Sequence, residues 1–265
     1  FARPVPEARL ALCDCGTIEL WKTCMRVHTA RTYLSILASA AASTCSAADK
    51  MKAGVIFLHG LGDTPAGWSD LKHQLARFDA RLKSPEIEWT FPAAPTIPIT
   101  INGGATMPGW FDLFDWPIGP DAKDDRARVL QGVEAVKTQI AKLEARGVAP
   151  ERIIVGGFSQ GGAIALNAAY RHDKKLGACV ALSGWLTLKE DFSGDLGAAK
   201  GTPLFWGHGV HDDKVLFPHQ KIGVDLLTQR GVAVDASQYA MGHGAHPDEM
   251  AKLAKFVGDV LFPES

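Results

Sequence analysis

Arg152-Ile153-Ile154-Val155-Gly156-Gly157-Phe158-Ser159-Gln160-Gly161-Gly162 joins an apolar run to a segment of small residues, Ala163 to Tyr170. A short continuous apolar run bounded by turn residues suits a strand buried on both faces. The segment after it suits a closely packed helix. At the junction, Gly157-Phe158-Ser159-Gln160-Gly161 fits the pattern G-x-S-x-G. In a nucleophile elbow the serine occupies a sharp strand-to-helix turn, and the flanking glycines leave room for it. The helix N-terminus behind Ser159 favours developing negative charge. The bare pattern also arises by chance in Gly- and Ser-rich turns; the strand before it and the helix after it argue against chance here.

Working outward, the strand signal repeats. Gly54 to His59, Ala178 to Leu182 and Pro203 to Gly207 are further apolar runs, and Val232 to Tyr239 is a later strand with some alternation. Helical periods lie between them. Val129, Val133, Val136, Ile140 and Leu143 share one face, with Gly147 as a C-terminal stop. Ile222, Leu226 and Leu227 mark another helix, and Met250, Leu253, Val257 and Leu261 the last. This alternation predicts an α/β fold with a mostly parallel central sheet and helices on both faces. Phe91 to Pro120, rich in Pro, Gly and Trp, is expected to be a long functional loop without secondary structure.

Composition bounds the function. The 265 residues carry a formal net charge of −1, so no global field attracts nucleic acid or an anionic membrane. No apolar run reaches the roughly 18 residues of a membrane span, and no internal repeat is present. Four of the five cysteines (Cys13, Cys15, Cys24 and Cys45) precede residue 50. Cys179, inside an apolar strand, reads as a reduced core thiol. Cys13-x-Cys15 has no second pair at zinc spacing.

Residues 1–50 differ from the rest. Their six basic and four acidic side chains leave a positive surplus. Met25 to Ala48 is basic first, then apolar, then Ala- and Ser-rich with no acid, which fits a transit segment or a weak secretory signal. Met51 is an alternative start. The expected division is an N-terminal extension over 1–50, poorly ordered or targeting, and a folded domain over 51–265.

A serine hydroxyl needs a base, and two strand-end stretches offer one with its partner. His208-Gly209-Val210-His211-Asp212-Asp213 follows one strand, and Gly242-His243-Gly244-Ala245-His246 the next. The order Ser, Asp, His is that of α/β-hydrolases, and open α/β sheets gather ligands at this edge. Asp212 and Asp213 are neighbours and point different ways, so one of them can reach an imidazole. His243 lies between glycines on a tight loop, as an exposed base would. His246 precedes Pro247, where a helix-start role fits. His208 suits a backbone hydrogen bond. For an oxyanion, the N–H of Gln160 is one donor, and the N–H of Leu61, in Leu58-His59-Gly60-Leu61-Gly62-Asp63, is the other. His59 reads as a loop brace.

Four blocks then carry a resemblance: Phe57 to Thr64 with Gly67-Trp68; Phe91-Pro92-Ala93-Ala94-Pro95 with Met107 to Asp112; Arg152 to Gly162; and Leu182-Ser183-Gly184-Trp185-Leu186. Together with the His208-Gly209…Asp212 and Gly242-His243 blocks, they make residues 51–265 resemble the acyl-protein thioesterase/lysophospholipase branch of the phospholipase–carboxylesterase family. The resemblance implies an α/β-hydrolase fold, Ser159 as nucleophile, His243 as base, Asp212 as orienting acid, and Leu61 and Gln160 as oxyanion donors. It implies hydrolysis of S-acylated proteins, lysophospholipids or small acyl esters, with no cofactor and no metal. It also implies a cytoplasmic location, subject to organelle targeting by residues 1–50. Met51-Lys52-Ala53 lacks the lipidated cysteine of some members, so at most transient membrane contact is expected. Oligomeric state is left open.

Trp110, Phe111, Leu113 and Trp185 are the expected substrate contacts, with core packing an equal reading for Trp110 and Phe111. Two other classes compete. One is a ligand-binding module on a hydrolase fold that has lost turnover. The other is a metal hydrolase built from His208, His211, His219, His243, His246 and Asp213, but no two of these have H-E-x-x-H spacing.

Overall fold

The apolar runs pair side by side, as their double-sided burial demands. The computed structural model describes residues 52–263, nearly all of one compact unit, Lys50–Ser265. The expectations for residues 1–50, and for Met51 as a start, lie outside the described residues. In chain order the elements are β1 (Ala53–Leu58), α1 (Pro65–Trp68), α2 (Leu71–Phe78), β2 (Ile87–Thr90), β3 (Thr96–Ile99), β4 (Ala105–Pro108), α3 (Arg126–Ala145), β5 (Ile153–Phe158), α4 (Gln160–Tyr170), β6 (Ala178–Leu182), β7 (Leu204–Gly209), α5 (Pro218–Gln229), β8 (Val234–Tyr239) and α6 (Pro247–Leu261).

Six strands form one sheet in the order β2-β1-β5-β6-β7-β8, and every pair in it is parallel. Both faces are covered. Val55 and Phe57 of β1 pack with Leu71 and Leu75 of α2 and with Leu253 and Val257 of α6. Ile56 and Leu58, pointing the other way, pack with Val129, Val133 and Val136 of α3 and Ile164 of α4. Each such side chain stabilises by roughly 1.5–3 kcal/mol when fully buried. Cys179 is a free, buried thiol in β6, and burial pushes its pKa up.

The register decides where the chemistry sits. Leu58 aligns with Gly157, Phe158 with Leu182, Leu182 with Gly207, and Gly209 with Tyr239. In a parallel sheet these carboxyl ends share one edge, so the segments that follow them meet there. β1 and β5 are neighbours at the point where strand order reverses, the usual crevice of an open α/β sheet.

Two expectations need correction. The Phe91–Pro120 segment is not structureless: β3 and β4 pair antiparallel within it, Thr96 opposite Pro108 and Ile99 opposite Ala105. Ile97 and Ile99 are buried while Thr96 and Pro98 are exposed, the period-2 pattern of a half-buried strand. Pro98 disguised it, since proline is tolerated only in edge strands. β2 and the α1–α2 region were also not foreseen; β2 is short, and Glu88 interrupts its apolar character. Among the described residues, no helix is long and apolar enough to cross a membrane.

Candidate active site

Ser159 stands between β5 and α4 with φ 55° and ψ −121°, a conformation that costs of order 1–3 kcal/mol for a residue with a Cβ. Packing over-determines it. The Ser159 N–H donates to the Leu182 carbonyl at 2.8 Å. A Cβ on Gly157 would collide with the backbone of Gly161, and one on Gly161 with the carbonyl of Leu58. The two motif glycines therefore let β1, β5 and α4 close on each other and hold the serine out.

His243 arrives on the loop after β8. Backbone bonds tie the start of that loop to the loop after β7: Val210 N–H donates to Tyr239 O at 2.9 Å and His211 N–H to Met241 O at 3.0 Å. His243 Nδ1–H donates to Asp212 Oδ2 at 2.8 Å, and Ser159 Oγ–H donates to His243 Nε2 at 2.9 Å. The ring of Phe158, the residue before the serine, packs on the imidazole with centroids 4.8 Å apart.

Asp212 is buried. Its Oδ1 accepts from the N–H groups of Lys214 and Val215, both at 2.9 Å. Burial opposes its charge, but hydrogen bonds from His208, His243 and the Val215 N–H outweigh burial and hold the carboxyl well below the usual carboxylate range. It stays an acceptor at any physiological pH.

The alternatives left open by the residues separate here. Asp213 is exposed and pairs with Lys214 at 3.2 Å. His246 is the N-cap of α6: its Nδ1 accepts from the Asp248 N–H at 3.2 Å, and Glu249 accepts from its own N–H at 3.3 Å. His208 Nε2 reaches the Val215 carbonyl at 2.9 Å and lies 3.3 Å from Asp212 Oδ2, bracing the acid. His59 braces its loop, Nδ1 to Gly60 O at 2.8 Å and Nε2 accepting from Ala94 N–H at 3.1 Å. Among the described residues, no group of three or more His, Cys, Asp and Glu side chains converges at metal-binding geometry.

Leu61 and Gln160 both line the cleft beside Ser159. Among the described residues, neither backbone N–H has an acceptor.

The cleft holds about 240 Å³ and is walled by Leu113, Trp116, Ile118, Phe158, Trp185 and Val215, with Asp63 and Lys214 also lining it. Leu113 and Trp185 line this cleft. Trp110 and Phe111 do not line it. Trp110 is buried, and its Nε1–H donates to the His59 carbonyl at 2.9 Å; Phe111 is buried edge-on to Trp185, centroids 5.6 Å apart. Both are core, because the backbone between them is clamped by the Gln160 side chain: Oε1 accepts from Trp110 N–H at 2.8 Å and Nε2 donates to Phe111 O at 2.6 Å. Ile118, Phe158 and Val215 are cleft residues the sequence reading missed. Phe158 carried a signal, since it precedes the elbow serine; Ile118 and Val215, joined by an isolated parallel bridge, carried none.

The phospholipase/carboxylesterase family model matches residues 39–261. Acyl-protein thioesterase 1 of Candida albicans is 37% identical over 217 residues, 79% of this chain and 93% of its own. A probable carboxylesterase of Oryza sativa subsp. japonica is 34% identical over 222 residues, 83% of this chain and 82% of its own. The crystal structure of Arabidopsis thaliana SOBER1 superposes with a TM-score of 0.74 at 31% identity, covering 79% of this chain and 99% of that one. Fold, strand-end geometry and these likenesses agree, and the chain belongs to the phospholipase/carboxylesterase family of α/β-hydrolases.

Proposed function

We propose that this protein is a serine hydrolase that cleaves thioester or carboxyl ester bonds of acylated substrates through an acyl-enzyme intermediate. The observation that carries the reading is the unbroken hydrogen-bonded chain from Ser159 Oγ through His243 to Asp212 Oδ2 at the mouth of an apolar cleft. Ser159 attacks the acyl carbon as His243 Nε2 takes its proton, and Asp212 stabilises the imidazolium. The N–H groups of Leu61 and Gln160 receive the oxyanion; losing one such donor typically costs ~10²–10³ in turnover. The intermediate collapses, His243 returns the proton, and the thiol or alcohol departs. Water then attacks the acyl-enzyme with His243 again as base, and the carboxylic acid leaves.

The substrate classes are S-acylated proteins, lysophospholipids and small acyl esters, all of which present an apolar chain beside a carbonyl. Each methylene seated among Leu113, Trp116, Ile118 and Trp185 is worth ~0.8 kcal/mol. Residues 51–265 form the hydrolase domain in this reading.

A fluorophosphonate should label the wild-type protein at Ser159 and leave Ser159→Ala unlabelled and inactive. Labelling that persists in the variant overturns the assignment. Side-by-side kcat/KM on an S-palmitoyl peptide, a lysophospholipid and a short aryl ester then ranks the substrate classes.

A further inference from the structure

The loop that carries His243, residues 240–246, has two anchorages. Towards β8 it is held by the backbone bonds to Val210 and His211. Towards α6 it is held by Glu249. This carboxyl is fully buried. One oxygen, Oε2, accepts the His246 N–H at 3.3 Å. The other, Oε1, has no hydrogen-bond partner among the described residues and lies against Gly207 of β7, in space that a Cβ on that residue would occupy. The Tyr239 ring stacks on the His246 imidazole across the base of the loop, centroids 5.7 Å apart.

A glutamate in a capping box serves the helix end by bonding the N-cap backbone. That role does not call for burying the whole carboxyl. Burial is unfavourable to the charged form and pushes Glu249 up to about 7. An apolar side chain of equal length would fill the space without an unpaired oxygen. What an apolar side chain lacks is the acceptor that completes a rigid link from β7 to the backbone three residues beyond His243. β7 itself runs on through His208, which touches Asp212. We propose that Glu249 is a positioning residue for the reaction: wedged on Gly207 and bonded to the His246 N–H, it sets the loop that presents His243 to Ser159 and Asp212.

The proposal rests on the reading of His243 as the base, and it predicts that side-chain length, not charge, is what matters. Glu249→Gln keeps both the reach and an acceptor for the His246 N–H. Glu249→Asp keeps the carboxyl but is one methylene short, and Glu249→Ala removes the wedge. The measurements are kcat and KM on a short aryl ester, the thermal midpoint, and the far-downfield proton resonance of His243 Nδ1–H. The expected result is a kcat loss of about ten- to a hundredfold in the Asp and Ala variants, the scale of a misplaced catalytic group. KM should stay within twofold, and the downfield resonance should broaden or vanish. Glu249→Gln should keep both kcat and resonance.

A folded Asp or Ala variant with wild-type kcat overturns the proposal. So does a folded Gln variant as impaired as Ala, and this isostere decides the matter where a shortened variant does not fold. His243→Ala separates the two readings. Full activity in that variant removes the base assignment itself, whereas an inactive His243→Ala beside a fully active Glu249→Ala removes only the role given to Glu249.

Discussion

The elbow at Ser159 and the segment 91–120 both approach the cleft, and they are held in different ways. Around the elbow, backbone packs on backbone: Gly161 on the Leu58 carbonyl, Gly157 on Gly161, Ser159 N–H on Leu182 O. The covering segment has backbone ties at Pro108 and Ile118, Gly62 N–H to Pro108 O and Ile118 N–H to Lys214 O, both at 2.8 Å, and elsewhere it is held by side chains. Gln160 clamps Trp110 and Phe111, Asp112 accepts from the Thr100 N–H at 2.7 Å and hydroxyl at 2.6 Å, and Asp125 accepts from the Asp112 N–H at 3.1 Å. Backbone packing of this closeness admits only glycine, so it leaves a spelling in the sequence. Side-chain ties use Gln, Asp and Thr, which any surface loop also contains.

If the strand-end site is the rigid half, its relay should be the most brittle part of the molecule. Asp212→Asn keeps the shape but sets an amide among groups that all donate: Lys214 N–H, Val215 N–H and His243 Nδ1–H. The expected loss is about 10⁴ in kcat with KM little changed, as for an imidazole held in the wrong tautomer. Steady-state kinetics on a short aryl ester measures it. A loss below tenfold would mean that Asp212 does not orient the base.

The tie between the two halves comes next. Gln160→Ala leaves the Trp110 N–H and the Phe111 carbonyl buried without partners, at roughly 1–3 kcal/mol each. Its backbone N–H, the proposed oxyanion donor, survives. Urea unfolding should therefore show a clear drop in midpoint, while kcat on an acetyl ester falls much less than in Asp212→Asn. Equal stability in the variant would show that the covering segment is held by something other than this clamp.

Glu249 gives the strand-end site a pH signature. Its ordinary carboxyl value is 4.5, and burial lifts it to about 7 in the folded chain. Below 4.5 both states hold the proton and nothing is gained or lost. Between 4.5 and 7 the unfolded chain releases the proton and the folded chain keeps it, so stability falls as pH rises, by about 3 kcal/mol in all, and then levels off. Tyr239 on β8 lies within its electrostatic reach, His246 is bonded to it, and Asp248 precedes it in the first turn of its own helix. Glu249→Gln should flatten the wild-type decline in thermal midpoint between pH 5 and 7. An unchanged slope would mean that the carboxyl is not held neutral.

How much could be read beforehand follows the same division. The parallel sheet, the elbow, and both candidate acids and bases were legible, because apolar runs, a glycine pattern and strand-end spacing each have one physical cause. Choosing His243 over His246 needed either the family likeness or coordinates: both stand on the same loop, and His246 is distinguished only by capping α6. The covering segment was legible as a functional loop rich in Pro, Gly and Trp and no further. In a loop, an aromatic side chain facing a cleft and one facing the core carry the same composition, so Trp110 and Trp116 could not be told apart. Glu249 was silent for a related reason: on α6 it reads as an ordinary acid in a first helical turn.

Trp116 offers the smallest and cleanest test of the contrast. Unlike Trp110, it is 51% exposed, lines the cleft, and carries the Lys214 ammonium 5.6 Å from its ring centroid. Truncating an exposed side chain leaves stability within about 0.5 kcal/mol, so the thermal midpoint of Trp116→Ala should match wild type. Losing part of one apolar wall is worth on the order of 1 kcal/mol to a chain lying against it, which raises KM for an octanoyl ester about fivefold. An acetyl ester, too short to touch the indole, should show no change. If both esters lose equally, Trp116 shapes the entrance rather than the acyl wall, and the chain contacts must be sought deeper, at Leu113, Ile118 and Trp185.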